Sequence, residues 1–502
     1  PAPPAAGGAG DGNPAASAPP PVPALDGWGR MFRDMRNTVT ILGTVLSTGA
    51  AASLGAYFTL DVLWGLGNIY AGVVAYLLVP AFFAVGLLMI PIGIWRTRRL
   101  HARLGAPRPD RPYPVIDFNV PRVRLVWSVV LVLTLVNVVL FGVATYKGME
   151  YTDSTEFCGS LCHDVMHPQL VSHEDSPHSR VPCVDCHIGE GATWFVRSKL
   201  SGLRQVWATL AGDYSRPIPA PVENLRPARE TCERCHWPGK FYGDRLLMRV
   251  RYGEDEKNTP SRVMLLLKTG GGSPDLGLHG GIHWYHMEGS HEIDFVAADR
   301  QQQKIAWVRY ATLEGEVFEF ENADVPRPPG ARVRRMDCVT CHNQPTHGYR
   351  MPADAVDHAL HGGRIDSDLP FIKARGVALI QETYRNETEA RTRIRDDLVA
   401  FYQQGHPQVW SLRRGSIESG ARVLGDIWAR NVFPDMAIAW GTYPNNAGHT
   451  HWPGCFRCHT DKMRMVSGPR RISIATDCRS CHMMALVDTG DLVIPRSFLG
   501  LP

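Results

Sequence analysis

Long uncharged stretches dominate the N-terminal part of the chain. Across residues 37–95 the only charged residue is Asp61. A membrane-spanning helix needs about 20 apolar residues, so this pattern predicts two spans, residues 38–60 and 68–95. A further uncharged stretch at residues 125–146 predicts a third transmembrane helix.

Arginine is concentrated on one side of these predicted spans. Three arginines lie in residues 1–37 and eight lie in residues 96–124, between the second and third spans. Because arginine-rich flanks stay in the cytoplasm, we expect a cytoplasmic N-terminal tail and a basic cytoplasmic loop. Residues 147–502 then lie on the periplasmic side of a bacterial inner membrane. The Pro/Ala/Gly-rich composition of the tail predicts disorder.

After the third span, the hydrophobic pattern is no longer that of membrane helices. Three segments rich in β-branched and aromatic residues, "RVMLLLK", "HEIDFVAA" and "KIAWVRYATLEGEVFEFE", predict strands, with a hairpin turn at "LEGE". Helical periodicity follows at residues 370–404 and 416–431. We therefore expect a mostly helical and loop-rich domain with a small β-rich insertion.

The cysteines of this domain follow one pattern. All 12 fall into pairs whose second member is followed by histidine. Five pairs read C-x-x-C-H, the attachment motif of c-type haem, in which two thiols bond to the porphyrin and the histidine ligates the iron. The pairs, each with its histidine, are Cys158, Cys162, His163; Cys183, Cys186, His187; Cys232, Cys235, His236; Cys338, Cys341, His342; Cys455, Cys458, His459; and Cys478, Cys481, His482.

Two other kinds of cysteine site fit this pattern poorly. A zinc ribbon gives no reason for a histidine after each second cysteine, and a disulfide within each pair would close a very small loop. The motifs therefore predict six covalently attached haem c groups, with the extra residue between Cys158 and Cys162 looped out. The chain has a formal charge of +4 and no basic, aromatic-rich patch that would indicate nucleic-acid binding.

A six-coordinate haem iron also needs a distal ligand. Histidines close to the attachment motifs or clustered in sequence are the candidates for five sites. For the first site the candidates are Met166 and His167, three and four residues after His163. The candidate distal histidines are His178, His283, His286, His347, and either His449 or His451.

Three segments, "YTDSTEFCGSLCHDVMHPQL", "SPHSRVPCVDCHIGEGATWFVRSKLSGLRQVWATL" and "RPARETCERCHWP", resemble the NapC/NirT family of membrane-anchored multihaem quinol dehydrogenases. The resemblance covers residues 123–238, and the rest resembles longer inner-membrane multihaem cytochromes of metal-reducing bacteria. It implies a membrane-anchored multihaem cytochrome c with a mostly α/loop periplasmic hexahaem domain. It also implies that quinol or menaquinol is oxidised beside the first haem and that electrons leave for a periplasmic acceptor.

The resemblance implies site residues as well. Met166 stands where the family has an axial methionine, and Lys199 stands where it has a lysine that contacts the quinone. Val206 occupies the position of an expected acidic residue, and Asp213 is the next acid along the chain. Because quinol oxidation releases protons, Asp213 and Asp164 are candidate proton acceptors. The family ordinarily has one membrane helix, whereas this chain has three predicted spans.

Two other functions remain open at this point. A terminal reductase needs a haem iron with a free coordination position, and the C-x-x-C-K motif that some multihaem nitrite reductases use there does not occur. A wiring subunit of a larger membrane complex would receive electrons from another protein and have no quinol site. For a quinol dehydrogenase, the expected partners are the membrane quinone pool and a periplasmic cytochrome or reductase.

Overall fold

Three long apolar helices form the N-terminal part of the protein in the computed structural model: α1 (Thr38–Trp64), α2 (Val79–Arg103), which a π-helical turn precedes at Val74–Leu78, and α3 (Pro121–Thr152). Each is long and apolar enough to cross a membrane. The structure describes residues 35, 37–64, 74–103, 117–160, 163–189, 191–222, 225–237, 243–271, 280–287 and 291–487. Most of the predicted N-terminal tail and part of the basic loop lie outside these residues.

Helices α1 and α2 approach each other closely at glycine. A Cβ atom on Gly43 would lie 2.7 Å from the carbonyl oxygen of Gly86, and one on Gly86 would lie 2.7 Å from the backbone nitrogen of Ser47. Such small residues allow two helix backbones to pack in direct contact. The Thr40 hydroxyl adds a hydrogen bond to the carbonyl oxygen of Ile90, at 3.3 Å.

The chain divides into two units, residues 1–152 and 153–502. Helix α3 runs six residues beyond the predicted span, and the second unit starts at residue 153. The helices of the second unit are α4 (Thr155–Ser160), α5 (His163–Glu174), α6 (Cys183–His187), α7 (Ala192–Ala211), α8 (Ala228–Cys232), α9 (Ile282–Met287), α10 (Cys338–Cys341), α11 (Pro352–His361), α12 (Ile372–Gln381), α13 (Glu387–Gly405) and α14 (Pro407–Asn431).

Two antiparallel sheets lie among these helices. The strands are β1 (Arg245–Tyr252), β2 (Pro260–Leu267), β3 (Glu292–Ala297), β4 (Ile305–Ala311), β5 (Val317–Asn322), β6 (Arg334–Arg335), β7 (Met463–Ser467) and β8 (His482–Val487). One sheet has the order β1-β2-β8 and the other β6-β3-β4-β5-β7. The predicted hairpin joins β4 to β5, where Gly315 has a φ of +80°. Three apolar helices followed by a helical and loop-rich domain with small sheets confirm the predicted fold class.

The predicted helix over residues 370–404 is two helices in the structure. Helix α12 ends at Gln381, and α13 starts after Asn386, whose side-chain oxygen accepts a hydrogen bond from the backbone N–H of Glu389 at 2.9 Å. The carboxylate of Glu389 in turn accepts from the backbone N–H of Arg385 at 2.8 Å. An asparagine followed three residues later by glutamate is a signal for the start of a helix. The spacing of hydrophobic residues alone does not show this break between the two helices.

Helices α11 to α14 enclose the largest described core, which contains one buried ion pair. The Lys373 ammonium donates to Asp357 Oδ1 at 2.5 Å and to the carbonyl oxygen of Ala353 at 2.6 Å. Lys373 is only 3% exposed. The Asp357 carboxylate also accepts from the backbone N–H of Tyr252, at 3.1 Å, so the pair joins α11, α12 and β1.

We expect Lys373→Met to destabilise this helical core strongly, because it leaves the buried Asp357 carboxylate without its cation. Removing one member of a buried pair costs about 3–5 kcal/mol. Hydrogen exchange of the amides in α11 and α12 measures the loss. The exposed pair Arg414–Glu418 is the control, and Arg414→Met should leave these exchange rates nearly unchanged. Equal rates for Lys373→Met and the wild type would contradict the role of the pair.

Candidate functional site

The attachment motifs occupy short helical turns. Helix α6 contains the whole second motif, and α10 contains both cysteines of the fourth. Helix α8 ends at the first cysteine of the third motif, and 3₁₀ turns at Gly454–Arg457 and Cys478–Ser480 contain the first cysteines of the fifth and sixth. Spacing of three residues on such a turn places both thiols on one side, with the histidine next in line. At the fourth motif Asp337 caps the turn by accepting from the backbone N–H of Cys338, at 2.6 Å.

Each of the last five attachment histidines has a second histidine ring opposite it. The centroid distances are 6.3 Å for His187–His347, 6.0 Å for His236–His178, 6.4 Å for His342–His283, 5.8 Å for His459–His286 and 6.2 Å for His482–His449. An imidazole nitrogen binds a transition metal at about 2 Å, so two imidazoles on opposite sides of one ion place their ring centres roughly 6 Å apart. The five pairs therefore fit five bis-histidine irons.

Backbone carbonyls orient the second histidine of four pairs. In each case Nδ1–H donates to a carbonyl oxygen and leaves Nε2 as the coordinating atom, the arrangement expected of a metal-bound histidine. The acceptors are Pro345 for His178 at 2.9 Å, Thr269 for His283 at 2.7 Å, Ile282 for His286 at 2.7 Å and Gln169 for His347 at 3.1 Å.

Burial favours the neutral form of several of the paired rings. Burial, and then the nearby ring of His187, lower the pKa of His347 to about 4. Burial also lowers the pKa of His187, His283, His286 and His342. Because the neutral imidazole is the form that binds metal, the local environment suits ligation at neutral pH.

His449 and His451, the two candidates that the sequence left open, have different surroundings. The ring of His449 faces His482. His451 Nε2 instead hydrogen-bonds with the carboxylate of Asp354, at 2.8 Å. The structure therefore pairs only the first of them with an attachment histidine.

Thiols of successive sites lie side by side. The Cys183 thiol of the second site hydrogen-bonds with Cys158 of the first, which lowers the pKa of Cys183 to about 6. The thiol of Cys232 in the third site hydrogen-bonds with Cys338 of the fourth, which lowers the pKa of Cys232 to about 7. Burial, and then the neighbouring thiol of Cys232, raise the pKa of Cys186. The second site therefore lies next to the third.

A buried arginine connects the fourth and fifth sites. Arg457 lies within the fifth motif and donates to the carbonyl oxygen of Gly454 at 2.9 Å, of Gln302 at 3.0 Å and of Thr340, in the fourth motif, at 2.7 Å. The thiol of Cys481 in the sixth site is close enough to Cys455 of the fifth for their charges to interact. The sites thus neighbour one another in chain order.

The first site is only partly described. Cys162 lies outside the described residues, and the structure describes the backbone but not the side chains of His163 and Asp164. Met166 is half-buried against an apolar cluster that contains Phe433. His167 is exposed, and its ring centre lies 5.6 Å from that of Phe433.

Lys199 lies close to the first site and has an acidic partner that the sequence did not identify. Its ammonium donates to Asp153 Oδ1 at 2.8 Å, and both charges act on the thiol of Cys158. Asp153 precedes Lys199 by 46 residues, so no local spacing relates them. Asp213 is exposed and lies beyond the C-terminal end of α7, the helix that carries Lys199.

Comparison with known proteins identifies relatives of this chain. Residues 120–218 match the model of the NapC/NirT cytochrome c family, N-terminal region. Cytochrome c-type protein ImcH of Geobacter sulfurreducens is 39% identical over 452 residues, which span 89% of this chain and 88% of that protein. Cytochrome c nitrite reductase subunit NrfH of Nitratidesulfovibrio vulgaris is 34% identical over 90 residues, 18% of this chain and 55% of NrfH. No solved structure gives a significant match.

The match with ImcH extends over nearly the whole of both chains, and the family model covers the end of the membrane part and the first two attachment motifs. Membrane-spanning helices and covalently bound haem c follow from this relationship together with the motifs. The chain belongs to the NapC/NirT cytochrome c family.

Proposed function

We propose that the protein oxidises quinol at the membrane and conducts electrons through six covalently attached haem c groups to a periplasmic acceptor. The observation that carries this proposal is the set of five histidine pairs with centroid distances of 5.8 to 6.4 Å. Haem iron with two axial ligands takes up and releases electrons without binding a substrate. Attachment sites that neighbour one another in chain order support conduction along the domain.

The proposed axial ligands follow from the ring pairs. His187, His236, His342, His459 and His482 are the proximal ligands, and His347, His178, His283, His286 and His449 are their respective distal ligands. At the first site we propose His163 with Met166. The half-buried side chain of Met166 supports this choice over the exposed His167.

We assign the quinol site to the surroundings of Lys199. The Lys199 ammonium can donate a hydrogen bond to a quinol oxygen, and the Asp153 carboxylate that accepts from it at 2.8 Å can take the hydroxyl proton. About one third of each side chain is exposed, which leaves room for a ligand to approach. Asp213 and Asp164 are the proposed route by which the proton reaches water, and the exposure of Asp213 suits that role.

The proposed topology places residues 147–502 in the periplasm of a bacterium and residues 1–37 and 96–124 in the cytoplasm. The arginine-rich loop supports this orientation. Covalent haem then lies on the side where a periplasmic cytochrome or reductase, alone or within a larger membrane complex, can accept electrons. The quinone pool is the proposed donor.

The structure favours conduction over substrate reduction. A terminal reductase needs an iron with an open position, whereas five of the attachment histidines already face a second histidine. The position of the Lys199–Asp153 pair beside the first attachment site supports direct quinol oxidation over a wiring subunit that has no quinol site.

The mass of the purified chain should exceed the sequence mass by that of six haem groups, because all 12 cysteines belong to attachment motifs. Intact-protein mass spectrometry measures the total, and proteolysis tests each site. The peptide that contains Cys158 and Cys162 should carry one haem despite its extra residue. Free thiols in that peptide would contradict the proposed first site.

Replacing His449 by alanine should change one haem from low spin to high spin, since it removes one of two strong axial ligands. Electron paramagnetic resonance of the oxidised protein counts the low-spin signals. His451→Ala is the matched control and should leave all signals in place, because His451 hydrogen-bonds with Asp354. The opposite result would exchange the two assignments.

Lys199→Gln should slow reduction of the haems by a menaquinol analogue by about 100-fold, the loss expected when a group that orients or transfers a proton is removed. Stopped-flow absorbance follows the haems, and Asp153→Asn should act in the same direction. Lys462→Gln changes another exposed lysine and serves as the control. The dithionite-reduced spectra should match in all variants. A normal quinol rate in Lys199→Gln would refute the proposed site.

A further inference from the structure

Helix α7 (Ala192–Ala211) carries a row of exposed apolar side chains that exceeds what a soluble surface ordinarily presents. Leu200, Leu203, Val206, Trp207 and Leu210 are between 42% and 79% exposed. Leu200, Leu203, Trp207 and Leu210 follow one another three or four residues apart, and Val206 is three residues after Leu203, so all five lie on one side of the helix. A contiguous apolar face of this kind marks an interaction surface.

The charges of α7 have a single sign. The helix contains Arg197, Lys199 and Arg204 and no acidic residue. Arg197 and Arg204 are two helical turns apart and follow the same edge of the apolar row. Long basic side chains at the edge of an apolar face, together with tryptophan, are the composition of helices that lie in the headgroup region of a membrane.

A salt bridge ties α7 to the point where the chain leaves its last apolar helix. Helix α3 ends at Thr152, and Asp153 is the next residue. The carboxylate of Asp153 accepts from the Lys199 ammonium at 2.8 Å. The N-terminal half of α7 is therefore held within one side-chain contact of the residue that follows a predicted membrane span.

We propose that α7 lies in the plane of the membrane surface and binds anionic lipid headgroups. The apolar row enters the boundary between headgroups and acyl chains, while Arg197 and Arg204 contact lipid phosphates. The salt bridge to Asp153 sets the depth of the helix. This inference rests on membrane anchoring and is independent of whether Lys199 contacts quinol.

Surface charge and chain connectivity favour lipid over a protein partner. A protein that covered this row would need acidic groups to match the arginines, and it would compete with the bilayer for a helix tied to residue 153. The bilayer surface supplies anionic phosphates and apolar chains together at this depth. The bilayer alone therefore accounts for both the apolar row and the basic residues of α7.

Site-directed thiol labelling tests the proposal in the full-length holoprotein. All 12 native cysteines belong to haem attachment motifs, so an introduced cysteine is the reactive thiol. Leu203→Cys and Trp207→Cys place it in the apolar row, and Leu412→Cys is the control, an 85% exposed leucine on α14. The protein is reconstituted in vesicles of phosphatidylcholine and phosphatidylglycerol and treated with a membrane-impermeant maleimide.

We expect the two α7 cysteines to react roughly tenfold or more slowly than the control. Adding Arg197→Gln and Arg204→Gln should weaken this protection, as should replacing phosphatidylglycerol with phosphatidylcholine. Unchanged visible haem spectra show that the variants are folded. The maleimide should label Leu412→Cys at the same rate with and without the two arginine substitutions. Equal rates on α7 and α14 would overturn the proposal. Protection that depends on the number of protein copies per vesicle, and not on anionic lipid, would instead assign the row to contacts between copies.

Discussion

The proposed binding of one haem iron between two imidazole rings is the constraint on which the arrangement of the second unit depends. Each of the last five attachment histidines meets a ring from elsewhere in the chain at 5.8 to 6.4 Å. His347, five residues after His342 of the fourth motif, faces His187 of the second, and His178, five residues before the second motif, faces His236 of the third. These pairings join each site to a segment that lies beside another site in the sequence.

Helices and strands position the paired histidines. Helix α9 carries His283 and His286 one helical turn apart, and they face the fourth and fifth attachment histidines respectively. This short helix therefore fixes the distance between the fourth and fifth sites. Arg457 fixes it as well, because its guanidinium donates to the carbonyl oxygens of Gly454, beside the fifth motif, and of Thr340, in the fourth. Strand β8 begins at His482 and pairs with β2, so the sheet fixes the start of the sixth site. The buried core of α11 to α14 carries none of the attachment motifs.

The ion pair of Asp153 and Lys199 links several features of the second unit. It joins the residue after the third apolar helix to α7 and lies beside the thiol of Cys158. The residue that follows the last apolar helix, the first attachment site and α7 are therefore close together. Both proposals, quinol oxidation at Lys199 and membrane binding by the apolar row of α7, rest on this contact.

The sequence by itself determined the parts that local chemistry specifies. Three apolar runs predicted the three apolar helices, segments rich in β-branched and aromatic residues predicted strands β2 to β5, and cysteine spacing predicted the attachment motifs, because each signal is contained within about 30 residues. Strands β1, β6, β7 and β8 were not predicted. The start of α13 was also readable, in Asn386 and Glu389. Only the tertiary structure decided which ring faces which: His449 rather than His451 at the sixth motif, and Asp153 as the partner of Lys199. Those choices join segments 33 to 173 residues apart, and nothing in the local pattern records which segments the fold brings together.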